Sequence, residues 1–379
     1  MTLTAPSPTN KNPTMTALMN NHAIEWSDPN RAQAFANWLA QQAPAHQLQT
    51  ASLRLASSDA SFRRYFRVGT SGPVPGTSCI IMDAPPDKED CAAFAKVAGL
   101  MHDAGLCAPR VLAWDEAQGF MLLTDLGAQT MMEFMNPPAS VAAIAAPSVA
   151  YEALFAQATD ALVQWQLASR PGVLPLFDDA LLGRELALFP EWYVAKHRAL
   201  VLTPAQQATL NSAFELIKAS NLLSLEGARV FVHRDFMARN LMVANGKLGV
   251  LDFQDAVYGP ITYDIASLMR DAFLTWEEDF VLDITVRDWQ KARAAGLPVG
   301  RDFGEFYRAV EWMGLQRHIK ILGIFARLTL RDGKPKYLAD TPRFVRYVRA
   351  TCARYRQLGP LMVLLDQIEG NETRVGYTF

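Results

Sequence analysis

The stretch that most constrains this chain is VFVHRDFMARNLMVANGKLGVLDFQD, residues 230–255. A short apolar run, Val230-Phe231-Val232, leads into His233-Arg234-Asp235, and Asn240 follows five residues after Asp235. Residues 241–244 read as a short strand. Asn245-Gly246 is the dipeptide a tight hairpin turn prefers, because both residues tolerate positive φ. The returning strand, residues 248–251, then delivers Asp252 beside the start of the hairpin. Asp235, Asn240 and Asp252 are therefore expected to converge.

That trio suits a specific chemistry. Phosphoryl transfer from ATP needs a carboxylate near the attacking hydroxyl and oxygen ligands for Mg²⁺ on the phosphates. The kinase catalytic loop reads H-R-D-x-x-x-x-N, and a later Asp sits in D-F-G. Here the first motif is met at every specified position, and the second reads Asp252-Phe253-Gln254. The competing reading, an N-capping Asp before an ordinary exposed hairpin, does not explain why three metal-type ligands meet. The block resembles the aminoglycoside phosphotransferase family, the small-molecule branch of the protein-kinase-like fold. The longer run LGVLDFQDAVYGPITYDIASLMRD looks closest to the anomeric kinases of N-acetylmuramate and N-acetylglucosamine that serve cell-wall recycling.

The resemblance implies an α+β, bilobal protein-kinase-like fold. A small strand-rich N-lobe, residues 23–126, would bind nucleotide, and a larger helical C-lobe, residues 127–379, would carry the catalytic and acceptor sites. It implies ATP and Mg²⁺, with Asp235 as catalytic base and Asn240 and Asp252 as metal ligands. His233, Arg234 and Asp264 would brace the loop.

Composition narrows the alternatives. Half of the 379 residues are apolar and a fifth charged, the ordinary globular balance. The net charge of −2 gives no whole-molecule field favouring nucleic acid or an anionic membrane. Cys79, Cys91, Cys107 and Cys352 show no C-x-x-C spacing and read as buried free thiols of a reducing compartment. Residues 1–22 lack the basic start and apolar core of a secretory signal, and their Pro, Thr and Asn content suggests a disordered tail. No apolar run is long enough to span a bilayer. The expectation is a cytoplasmic protein whose partners are ATP and a small amino sugar.

Within the first lobe, Ser27-Asp28-Pro29 signals a helix start. Strands near residues 53–55 and 64–68 flank a loop of small residues, in which Ser58 and Ser61 offer N–H and hydroxyl groups to an anion. In the family this loop covers the ATP phosphates; without the family, a plain surface hairpin fits equally. Where protein kinases carry a phosphate-gripping Lys, this chain has Met82-Asp83. Arg64 is the favoured substitute, with Arg67, Lys88 and Lys96 as alternatives. Thr124 and Asp125 open the hinge that touches adenine in the family.

In the second lobe, residues 181–197 hold Arg184, Glu185, Glu191, Trp192 and Tyr193. Carboxylates beside an aromatic face suit a sugar; the alternative is an amphipathic helix with a solvated charged face. Thr203-Pro204 starts a helix. Asp271 either braces the loop or lines the cleft. The long helix 303–328 carries Gln316, Arg317, Lys320, Gly323 and Arg327. Arg317 and Lys320 are candidates for the lactyl carboxylate of N-acetylmuramate, against a solvated basic face. Two rival functions remain: a kinase of aminoglycosides, choline or another small alcohol, and a nucleotide-binding regulator without turnover.

Overall fold

The computed structural model describes residues 24–58, 62–73, 76–136, 148–244 and 247–371. The expected tail, Ser61 and the Asn245-Gly246 turn lie outside them. The chain divides into two compact units, Met1–Cys91 with Val111–Asp125, and Ala92–Arg110 with Leu126–Phe379.

The first unit is one helix on one sheet. Helix α1 (Pro29–His46) is capped by Asp28, whose carboxylate accepts the Asn30 N–H at 2.8 Å, with Pro29 at the first helical position, where no N–H is needed. The antiparallel sheet comprises β1 (Leu48–Ser58), β2 (Arg64–Thr70), β3 (Ser78–Asp83), β4 (Val111–Asp115) and β5 (Phe120–Thr124), ordered β1-β2-β3-β5-β4. Strand alternation sends Phe66, Val68, Ile81, Phe120 and Leu122 to the face that packs on Phe35, Trp38 and Leu39 of α1.

The second unit is mainly helical. Helix α2 (Cys91–Asp103) belongs here from Ala92 onward, although in the chain it falls between β3 and β4. Its Phe94 ring lies 4.8 Å from that of Phe253, and Lys96 donates to the Val173 carbonyl at 2.6 Å. The short α3 (Met131–Met135) is followed by α4 (Ser148–Leu167), α5 (Asp179–Leu188) and a π-helical segment, Phe189–His197, where the sequence suggested one continuous helix. Helix α6 (Pro204–Leu223) begins at Thr203 with a reciprocal capping box to Gln206.

Two small ladders carry the motif region. Strand β6 (Arg229–Val232) pairs with β9 (Val257–Pro260), and β7 (Leu241–Ala244) pairs with β8 (Lys247–Val250). Helices α7 (Tyr263–Met269), α8 (Glu278–Ala294), α9 (Phe303–Leu330), α10 (Thr341–Arg354) and α11 (Gly359–Glu369) complete the unit. Helix α9 is its axis, buried along most of its length, including Gln316, Arg317 and His318. A Cβ at Gly323 would lie 2.4 Å from the Leu188 carbonyl group, so only glycine lets α5 and α9 approach this closely. Among the described residues no helix is long and apolar enough to cross a membrane.

Candidate active site

Strand β6 ends by feeding His233, Arg234 and Asp235 into a loop fixed by its backbone. The buried Asp264, in the first turn of α7, accepts the N–H of His233 at 2.7 Å and of Arg234 at 2.9 Å. On the other side, the Arg234 carbonyl accepts Arg317 Nη1 at 2.7 Å and Ser267 Oγ at 3.3 Å. This clamp holds Arg234 at φ 77°, a left-handed conformation rare outside glycine. His233 is buried, which pushes its pKa down and keeps the imidazole neutral. Its Nδ1 faces the Asp235 N–H at 3.3 Å and its Nε2 faces the Leu251 carbonyl at 2.9 Å, so the proton belongs on Nε2. One ring thereby ties the loop to the end of the hairpin.

The hairpin brings the side chains of Asn240 and Asp252 together beside the Asp235 backbone. Asn240 Nδ2 donates to the Asp235 carbonyl at 2.9 Å and to Asp252 Oδ2 at 3.2 Å. The Leu251 N–H donates to the Asn240 carbonyl at 2.9 Å, closing the base of the hairpin. Asp252 sits at φ 63°, and Gln254 Nε2 donates to its Oδ1 at 2.9 Å. The Gln that replaces the usual Gly is therefore a ligand of the carboxylate. Asp271 braces the far end of the loop, accepting the N–H groups of Ala238, Phe273 and Leu274 at 3.4, 2.6 and 3.2 Å.

A general base candidate, an adjacent carboxylate–amide pair and a doubly braced loop are the parts of a phosphoryl-transfer site. The family model described as "Phosphotransferase enzyme family" matches residues 52–303. The chain belongs to this phosphotransferase family. It is 46% identical over 344 residues to the N-acetylmuramate/N-acetylglucosamine kinase of Neisseria meningitidis serogroup B, covering 90% of this chain and 98% of that one. It is 47% identical over 318 residues to the kinase of the same name from Pseudomonas aeruginosa, covering 84% and 89%. Among solved structures, an amicoumacin kinase in complex with AMP-PNP, Ca²⁺ and Ami aligns at TM-score 0.56 and 14% identity, covering 85% of this chain and 96% of the other. A Plasmodium vivax ethanolamine kinase aligns at TM-score 0.56 and 12% identity, covering 88% and 91%. The kinase-like α+β fold expected from the sequence is the fold of this chain.

Kinases of this family typically use ATP with Mg²⁺, and the residues present suit a divalent ion. Asp252 offers a carboxylate, and Asn240, its amide nitrogen spent on two hydrogen bonds, offers Oδ1. The Gln254 Oε1 beside them is buried without a hydrogen-bond partner. Among the described residues no group of three or more His, Cys, Asp or Glu could hold a metal.

The acceptor residues expected from the sequence turn out differently. Glu185 is buried and faces inward: Oε1 accepts Arg234 Nη2 at 2.6 Å and Lys320 Nζ at 2.7 Å, and Oε2 accepts Gln316 Nε2 at 2.9 Å. Burial alone would raise its carboxyl, but Lys320 and Arg234 hold it down at about 2. Lys320 also reaches the Tyr263 hydroxyl at 3.3 Å, and Arg317 lies over the Tyr263 ring at 5.0 Å. Glu185, Arg317 and Lys320 are thus loop braces, because charges taken out of water must be paired. Arg184 is exposed on α5. Tyr193 is buried with its hydroxyl on Glu369 at 2.9 Å, and Lys196 covers the Trp192 ring at 3.3 Å.

The first unit corrects another expectation. Arg64 points to the α1 face, where Nε donates to Asp83 Oδ2 at 3.0 Å, Nη1 to the Glu25 carbonyl at 3.1 Å, and the guanidinium stacks on Trp26 at 3.9 Å. Arg31 of α1 binds the same Asp83 through Nε at 2.8 Å. Arg64 is committed to holding helix and sheet together. Arg67, on the opposite face by alternation, donates to Asp125 Oδ2 at 2.6 Å, and Ser78 Oγ donates to the same oxygen at 2.6 Å. Thr124 is buried opposite Cys79 in the β3–β5 ladder, and Ser58 ends β1 opposite Arg64. Ser267, Asp271 and Gln254 complete the site. Only Asp271 carried a signal, standing seven residues beyond Asp264.

Proposed function

We propose that the chain is an ATP-dependent kinase of the anomeric hydroxyl of N-acetylmuramate and N-acetylglucosamine, acting in the cytoplasm in cell-wall recycling. The observation that carries the reading is the Asp235–Asn240–Asp252 cluster on a braced loop, in a chain nearly half identical to kinases of that name. Asp235 accepts the proton of the C1 hydroxyl as its oxygen bonds to the γ-phosphorus. The bond from that phosphorus to the β–γ bridging oxygen breaks, and ADP leaves. An anomeric hydroxyl is more acidic than an ordinary alcohol, so Asp235 need mainly orient it and take the proton late. A divalent ion on Asn240 and Asp252 would neutralise charge developing on the phosphates.

The test is an acceptor panel with ATP: both amino sugars should be phosphorylated, and an aminoglycoside and choline should not. Asp235→Asn should keep nucleotide affinity and lose about 10²–10⁴-fold in turnover, the usual scale for a general base. Turnover within a few-fold of the parent enzyme would remove Asp235 from that role.

A further inference from the structure

A cavity of about 480 Å³ opens beside the catalytic loop, entirely within the helical unit. It is lined by Met132 of α3, Arg239, Phe273, Phe325 of α9, and Lys336, Tyr337, Ala339 and Asp340 between α9 and α10. This volume is in the range of small-molecule sites. Arg239 immediately precedes Asn240 in the catalytic loop. Phe273 is fixed by the same Asp271 carboxylate that holds the loop's Ala238 N–H. The cavity and the catalytic loop therefore share one wall.

The lining has a definite character. Phe325 lies between Phe273 and Tyr337, with ring centroids 6.3 and 5.1 Å away. Cations lie over the outer rings of this row, Arg239 at 4.6 Å from Phe273 and the exposed Lys336 at 5.2 Å from Tyr337. The carboxylate in the lining, Asp340, is already held by Arg343, whose Nε donates to it at 3.0 Å. Aromatic faces with cations at their edges suit a compact ligand that has an apolar C–H face and an anionic substituent. A cationic acceptor would meet charge of its own sign.

We propose that this cavity is the acceptor subsite for the carboxylate-bearing amino sugar, with Arg239 and Lys336 receiving the lactyl carboxylate of N-acetylmuramate and the aromatic row packing on the sugar. This rests on the proposed function and deepens it: Arg317 and Lys320 are braces, and the anionic substituent is read on the other flank of the loop.

The direct test is calorimetric binding of N-acetylmuramate and N-acetylglucosamine to the full chain, with kcat/KM for both sugars measured alongside. Lys336→Gln and Arg239→Gln should each reduce binding of N-acetylmuramate about tenfold or more relative to N-acetylglucosamine, the scale of one lost charge-assisted hydrogen bond. Lys336→Glu, at an exposed position that folding tolerates, should widen the gap further and appear mainly in KM. Equal losses for both sugars, or no loss, would overturn the subsite. If the parent chain binds N-acetylmuramate with this charge dependence but phosphorylates neither sugar, the proposed function fails and the subsite stands. If it phosphorylates both and no variant changes their ratio, the function stands and the subsite fails.

Discussion

On the α5–α9 flank of the catalytic loop, Arg234, Arg317 and Lys320 all donate to protein acceptors, and Glu185 gathers two of them with Gln316. On the flank lined by Phe273 and Tyr337, Arg239 and Lys336 lie over aromatic rings that wall a cavity. Both flanks are basic in sequence, yet burial separates their uses. A cation removed from water is stable only when paired, so the first set is consumed in holding the loop. The exposed Lys336 at the cavity edge keeps its hydration and can exchange it for a ligand.

The largest effect expected from this contrast is on stability. Glu185→Ala leaves Arg234 and Lys320 without their shared carboxylate and should cost about 3–5 kcal/mol in urea unfolding, the range for breaking a buried ion pair. The sign with pH follows from the same carboxyl. Its folded pKa, about 2, lies below its ordinary 4.5, so its contribution is complete above pH 4.5 and is lost as pH falls toward 2. Parent stability should decline through that window more steeply than that of Glu185→Ala, and parallel profiles would break the comparison.

A second buried carboxylate sharpens the point by contrast. Asp288 on α8 is buried, its Oδ1 has no hydrogen-bond partner, and burial pushes it up to about 7 from an ordinary 3.8. The fold prefers its neutral form while the unfolded chain ionises, so stability is lost as pH rises from 3.8 to about 7. Asp288→Asn should remove this dependence and gain up to about 4 kcal/mol at pH 8 relative to pH 4. An unchanged slope would mean the carboxyl is solvated or paired. The smallest expected change is Lys336→Ala, which should leave stability within about 0.5 kcal/mol of the parent, as at other exposed positions. A larger loss would place Lys336 among the braces.

How much of this was legible depended on the range of the interactions. The β7–β8 pairing and the meeting of Asn240 with Asp252 were readable because spacing and strands all lie within residues 230–255. The helix starts at Asp28 and Thr203 were readable for the same reason, since a cap is local. The role of Arg317 and Lys320 was not. Helical spacing puts them on α9, but whether they meet water or a carboxylate depends on Glu185, far away in the chain. That Gly323 must be glycine was not readable either, because the group it approaches is the backbone of Leu188, far away in the chain. Arg64 was misread for a similar reason: alternation gives two faces, and α1 with Trp26 decides which one Asp83 occupies. The pairing of β9 with β6 and the π-helical turn after Leu188 leave no local signature.

The distinction between bracing and binding is tested most directly at Lys320, a candidate for the acceptor carboxylate in the sequence analysis. Lys320→Met should be measured for its urea midpoint and for kcat/KM on N-acetylmuramate and N-acetylglucosamine. A brace predicts a stability loss of roughly 1.5–3 kcal/mol, the value of a hydrogen bond to a charged group, and equal kinetic losses for the two sugars. An unchanged midpoint with a loss confined to N-acetylmuramate would contradict it.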